Sequence, residues 1–261
     1  MTGLTRKTQL LIGKINELLG QFGTMTVRQV YYQLVPLGFN YRQICYALNV
    51  GREQSVIDSD SVLDRSRPLY GFDTWVNPDE VLTYYEKHYK LDYWSDSANK
   101  VEIWTEKDAL SAILNEEAER WRVPVRVTRG FLSTSNKIHW GNDNTVILYF
   151  GDFDPSGLSI DLDLQSGKFL EFAEFHRIAL TEDQIRQFNL PSVPVKRDDP
   201  RANEYIKLYG NEGWELDALN PDILKLLVGT SIKKYVTFDL AQKIEEEQAH
   251  RMRFEELQEV D

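Results

Sequence analysis

Residues 145–157 read TVILYFGDFDPSG. From Val146 to Phe150 no polar residue interrupts the run, the pattern of a strand buried on both faces of a parallel sheet. Gly151 ends the run, and Asp152 and Asp154 follow at once. Pro155 and Gly157 then turn the chain away. The stretch therefore predicts a strand that delivers two carboxylates to its carboxyl end, the edge where open α/β sheets place their ligands.

The same rhythm extends in both directions. Upstream, VEIWT (101–105) reads as a strand and KDALSAILNEEAERW (107–121) as a helix with Leu110, Ile113, Leu114 and Trp121 inward. VPVRVT (123–128) is a second strand, stopped at Arg129-Gly130, and a short helix follows in STSNKIHW (133–140). Downstream come a helix at LSIDLDLQ (158–165), a strand at EFHRIAL (174–180) and a helix at TEDQIRQF (181–188). Repeated βα units imply an α/β fold: a parallel sheet with helices on both faces.

VEIWT runs straight into Glu106. Glutamate opens many helices, so Glu106 says little by itself. Beside Asp152 and Asp154 it says more, because three carboxylates at one sheet edge repel unless a cation joins them. Mg²⁺ accepts a few carboxylates and keeps positions open for phosphate oxygens. Other readings of GDFDPSG stand beside this one. A calcium loop would need a helix before it and tolerates proline poorly. A phosphatase-type aspartate nucleophile usually follows the first strand, whereas here an earlier strand carries Glu106. A structural turn with capping aspartates needs no ligand at all.

The N-terminal part has a different character. Leu10, Leu11, Ile15, Leu18 and Leu19 fall at helical spacing, Thr26 is an N-cap for VRQVYYQLV, and Pro36-Leu37-Gly38 closes that second helix. A third helix in NYRQICYALNVGREQSVID places Ile44, Ala47 and Leu48 on one face. Three short helices followed by RSRPLYGF, a candidate wing, suggest a winged-helix or related helix-turn-helix module. Residues 1–52 carry six basic side chains against Glu17, a balance of +5. With a total of −11, the other 209 residues hold −16. Bulk electrostatics therefore exclude a chain that coats nucleic acid, but leave a basic module on an acidic body. Arg42 and Arg52 lie on that module as candidate phosphate contacts, against the alternative of ordinary surface arginines.

The domain boundaries expected are a module at 1–70, an aromatic-rich linker at 71–99 with one helix near PDEVLTYYEKHY, a sheet domain at 100–230 and a charged helix at 231–261. The single cysteine, Cys45, excludes an internal disulfide and a cysteine zinc site, and reads as a small buried residue. No run approaches a bilayer-crossing length and no charged-then-apolar leader opens the sequence, so a cytoplasmic protein is expected.

Taken in order, RQVYY (28–32), EKDA (106–109) and DFDPSG (152–157) resemble a known family. The acidic strand end followed by DxDPxG looks like a Toprim domain. RQVYY in a preceding helical module resembles the catalytic segment of topoisomerase VI A subunits and of the related transesterases that open meiotic recombination. WELDAL at 214–219 resembles a segment near the end of Toprim domains in small members of this group. The resemblance implies that Tyr32 is the nucleophile, that Arg28 holds or neutralises the scissile phosphate, and that Glu106, Asp152 and Asp154 bind Mg²⁺. It further implies a homodimer that cuts both strands of double-stranded DNA and leaves a 5′-phosphotyrosyl link. No GxxxxGK[ST] loop occurs, so strand passage would need a separate ATPase subunit.

The physical chemistry of these residues is consistent with that expectation. A phenol of pKa near 10 is a poor nucleophile without a base or nearby positive charge. Arg28 and Tyr32, at i and i+4, share a helix face, and Tyr31 lies about 100° away, where it would face the core. The alternatives are a Toprim nuclease that uses water, with Tyr32 as a packed aromatic, or a DNA-binding regulator without catalysis.

Overall fold

The computed structural model describes residues 4–63 and 73–258. Helix α1 (Arg6–Phe22) starts at Thr5, whose hydroxyl accepts from the Thr8 amide. A two-residue strand β1 (Met25–Thr26) leads into α2 (Val27–Leu34), and α3 (Tyr41–Glu53) follows a short 3-10 turn. Both α2 and α3 open with reciprocal capping boxes, Thr26 with Gln29 and Asn40 with Gln43, which satisfy amides that the first turn leaves without partners. Their apolar faces close on one core: Ile12, Ile15, Val30, Leu34, Ile44 and Leu48 are buried together. A parallel pairing of β1 with β2 (Val62–Leu63) ties the end of the module to its middle. The candidate wing lies outside the described residues. Cys45, expected to be buried, is only half-buried.

Helix α4 (Pro78–His88) packs on the C-terminal α11 (Leu240–Gln258). The last residues of the segment expected as a linker belong to the main core, however. Tyr93 and Trp94 are buried in it, and the Trp94 indole donates to the Trp121 carbonyl at 2.7 Å.

The second part alternates strand and helix as expected. In chain order it contains β3 (Lys100–Thr105), α5 (Ser111–Ala118), β4 (Val125–Val127), α6 (Thr134–Trp140), β5 (Thr145–Phe150), α7 (Pro155–Gln165), β6 (Glu174–Ala179) and α8 (Glu182–Gln187). A small antiparallel pair, β7 (Val193–Pro194) and β8 (Glu212–Gly213), flanks α9 (Ala202–Tyr209), and α10 (Pro221–Lys233) precedes α11. Among the described residues the main sheet has four parallel strands in the order β4-β3-β5-β6. All six residues of β5 are buried, as its apolar run predicts. Val146, Leu148 and Phe150 enter the core shared with α5 and α10, while Ile147 and Tyr149 enter the one under α7. Each such side chain removed from water stabilises the fold by roughly 1.5–3 kcal/mol.

The strand order positions the site. The chain leaves β3 for β4 on one side and returns to β5 on the other. The β3–β5 boundary is thus the topological switch point, where the loops diverge and leave a crevice at the carboxyl edge. The register pairs Thr105 with Phe150, so Glu106 and the Gly151-Asp152 turn emerge side by side into that crevice. No helix among the described residues is long and apolar enough to cross a membrane.

Candidate active site

The GDFDPSG turn is held by tight backbone packing. Asp154 is the N-cap of α7 and accepts from the Gly157 amide at 2.7 Å, with Pro155 in the first turn, so α7 begins three residues before the expected LSIDLDLQ. A Cβ on Gly157 would lie 2.3 Å from the Asp152 carbonyl oxygen, and one on Gly151 would lie 2.5 Å from the Tyr149 hydroxyl. The backbone contact leaves no room for a side chain at position 157, whereas one at position 151 would have to displace the Tyr149 ring.

Phe153 pairs with Trp214 through two backbone hydrogen bonds of 2.8 and 2.9 Å. That bridge lays the WELDAL segment along the acidic turn. The Leu216 amide donates to Asp152 Oδ1 at 2.7 Å, and Glu215 and Asp217 come to face the sheet edge.

Lys107, next to Glu106, is the hub of the cluster. Its ammonium lies 2.9 Å from Asp152, 3.1 Å from Glu215 and 2.5 Å from Asp217. The ammonium donates to Glu215 and Asp217, and Asp152 completes its ion pairing. Burial would lower the Lys107 pKa, but Asp152, Asp217 and Glu215 more than offset it and hold the group charged. Asp217 is fully buried and also accepts from the Thr26 hydroxyl at 3.5 Å.

The helical module meets this cluster through the face of α2 that carries Arg28 and Tyr32. The Arg28 guanidinium pairs with Glu215, and the Tyr32 phenol lies under the charge of the same carboxylate. Burial tends to raise Glu215, yet Lys107 and Arg28 together hold it below the usual carboxylate range. Tyr32 is pushed the other way, first by burial and then by the Glu215 charge, so its phenol stays protonated well above neutral pH. Tyr32 is only 4% exposed, and Tyr31 is the less buried of the pair. Tyr31 packs against the module's own core, as expected, and edges onto Tyr41, while the sheet domain covers Tyr32.

Glu106 and Asp152 carry opposed demands. Burial raises Asp152 first, Lys107 pulls it down, Glu106 pushes it up again, and the net effect brings it to about 7. Glu106 is raised by burial, opposed by the Asp152 amide, which donates to its Oε1 at 2.9 Å, and raised further by Asp154. Beneath them the Tyr149 hydroxyl is buried without a hydrogen-bond partner. Arg177 steadies the turn from below, donating to the Gly151 and Asp152 carbonyls and pairing with Asp161 at 3.1 Å.

The three expected metal acids thus stand close together, Asp154 raising Glu106 and Glu106 raising Asp152, but each is already engaged by protein. Asp152 is held by Lys107 and the Leu216 amide, Asp154 by its cap, and Glu106 by the Asp152 amide. Among the described residues no three His, Cys, Asp or Glu side chains are grouped to hold a metal ion. As arranged, the cluster fits the Lys107 ammonium and not a divalent cation.

Of the expected DNA contacts, Arg42 is exposed on α3, whereas Arg52 turns inward and donates to the Val62 carbonyl at 3.2 Å. The sequence reading missed Lys107, Glu215 and Asp217 as members of the site. A lysine at a helix start reads as solvated, and the acids of WELDAL lie over a hundred residues from it. The one available signal was their spacing, two acids flanking a buried leucine. No protein-family model matches the chain, and no curated protein shows significant similarity to it.

Proposed function

We propose that the chain is a DNA strand-cleaving transesterase of the topoisomerase VI A subunit type, with Tyr32 as nucleophile. One observation carries the reading: Arg28 and Tyr32, from the basic module, meet the acidic switch-point crevice of the sheet on a single side-chain network. In the reaction the Tyr32 oxygen bonds to a DNA phosphorus, the bond to the 3′ oxygen breaks, and the tyrosine proton is given up as the leaving oxygen gains one. Arg28 offers a planar pair of donors to the phosphate oxygens. The product is a 5′-phosphotyrosyl link and a free 3′ hydroxyl, and reversal reseals the strand. Mg²⁺ at Glu106, Asp152 and Asp154 belongs to this proposal by resemblance, as do a winged-helix form of the module, a homodimer on double-stranded DNA, and an ATPase supplied by another chain where strands are passed.

The test is trapping with denaturant after incubation with duplex DNA and Mg²⁺. Covalent adducts are expected from the native chain, with at least a hundredfold loss in Tyr32→Phe. Adducts undiminished in that variant would reject the role.

The burial of Tyr32 favours a second reading, in which water is the nucleophile and the phenol is structural. Cutting without adducts, retained in Tyr32→Phe and lost in Asp152→Asn, would select it.

A further inference from the structure

Arg28 is the side chain offered to a DNA phosphate, yet a protein carboxylate already holds it. Its guanidinium pairs with Oε2 of Glu215, and the Lys107 ammonium lies 3.1 Å from that same oxygen. A cation from each part of the chain therefore meets there, Arg28 from the helical module and Lys107 from the sheet edge. The backbone on both sides of Glu215 is pinned: Trp214 by its two hydrogen bonds to Phe153, and Leu216 by its amide on Asp152. A carboxylate spreads one negative charge over two oxygens, as a phosphodiester does over its two non-bridging oxygens, and a guanidinium binds either.

The same contact covers the phenol. Tyr32 stands one helical turn after Arg28 on α2, 4% exposed and under the charge of Glu215. Arg28 is the open side of the contact, with 53% of its side chain exposed, so an anion arriving from solvent meets it first. Behind it the closure is tighter, since Thr26 donates to the buried Asp217, which lies 2.5 Å from the Lys107 ammonium.

From this geometry we infer that Glu215 is an internal stand-in for a DNA phosphate, which occupies the Arg28 donors and keeps Tyr32 covered until a phosphodiester displaces it. The step exchanges one anion for another: Arg28 passes from carboxylate to phosphate, Lys107 keeps Asp152 and Asp217, and Glu215 is released to solvent. DNA binding and the uncovering of Tyr32 are then linked, and by reciprocity the docked module weakens DNA binding. The burial of Tyr32 thus belongs to the resting chain and not to the reacting one. Arg28 as phosphate ligand and Tyr32 as nucleophile rest on the proposed function; the exclusion of phosphate by Glu215 has its own test.

The test uses the full chain carrying Tyr32→Phe, so that binding is read without cleavage, and follows the anisotropy of a labelled DNA duplex. Adding Glu215→Gln, which keeps the shape and removes the charge, should tighten binding about fivefold or more. Glu212→Gln removes the same charge from an exposed position on β8 and should change affinity less than about twofold. In an Arg28→Ala background Glu215→Gln should give no gain, since the donors it would release are absent. In chains that keep Tyr32, and without DNA, hydroxyl-radical oxidation read by mass spectrometry should rise about fivefold at Tyr32 in Glu215→Gln and stay unchanged at the buried Tyr149. A gain no larger than that of Glu212→Gln, a gain that persists without Arg28, or unchanged Tyr32 oxidation overturns the stand-in and leaves the proposed reaction to the adduct assay. No binding of duplex by any of these chains overturns both. The expected pattern, together with an absence of adducts from the native chain, upholds the stand-in and rejects the nucleophile. Should Glu215→Gln fail to fold, Arg28→Ala decides: it should raise Tyr32 oxidation about threefold, and unchanged oxidation overturns the stand-in.

Discussion

Asp152 shows how far a single side chain can be set by its surroundings. Its folded-state pKa of about 7 lies above its ordinary value of 3.8, because burial and Glu106 disfavour the charge more than Lys107 favours it. Between those two pH values the folded state binds more protons than the unfolded one. The contribution of Asp152 is therefore full in acid and is lost as pH rises towards 7, with a slope of up to about 1.4 kcal/mol per pH unit. Denaturation curves at pH 5, 6 and 7 should show that decline in the native chain and a flatter profile in Asp152→Asn; parallel profiles would contradict it. The acid itself was legible in the sequence, from its place after an apolar run. Its partner was not, because nothing in EKDAL says that Lys107 will be buried until WELDAL is laid beside it.

At the scale of elements, the strand-turn-helix unit β5–α7 was the most readable part of the chain. An unbroken apolar run and a glycine specify the strand end with purely local physics, whereas the capping Asp154 and Pro155 start α7 three residues before the helix that was expected. Gly157→Ala should cost roughly 1–3 kcal/mol in chemical denaturation, since its methyl group has no room against the Asp152 carbonyl. A variant as stable as the native chain would show that the turn is not held as described. Helix α2 was less readable for the same reason that the turn was easy. Its capping box and its apolar side, with Val30 and Leu34, follow from local pattern. Tyr31 faces the module core as its place on the helix predicts, but the burial of Tyr32 comes from the sheet domain, which a helix-by-helix reading does not contain.

At the scale of the whole molecule, the contact between module and sheet domain rests on unequal bonds. Arg28 is half-exposed, and solvent screens its pair with Glu215. Arg28→Ala should therefore cost within about 1 kcal/mol of stability. Asp217 is fully buried between Lys107 and Thr26, and Asp217→Ala should cost roughly 3 kcal/mol by leaving Lys107 short of a partner. Equal losses in urea denaturation would mean that the buried pair does not carry the contact. The parallel sheet and its helical flanks were foreseeable from the βα rhythm, as was a separate helical module with opposite charge balance. The way the two parts meet was not, because it is set by side chains from three distant segments. The same holds for Tyr93 and Trp94, whose place in the main core depends on Trp121 and Phe238.

The claim that Tyr32 joins DNA is tested most directly by digesting trapped protein–DNA complexes and identifying the modified peptide by mass spectrometry. The account predicts a nucleotide remnant on Tyr32, linked through a 5′ phosphate. A remnant on any other side chain, or cut DNA with no modified peptide, would contradict it.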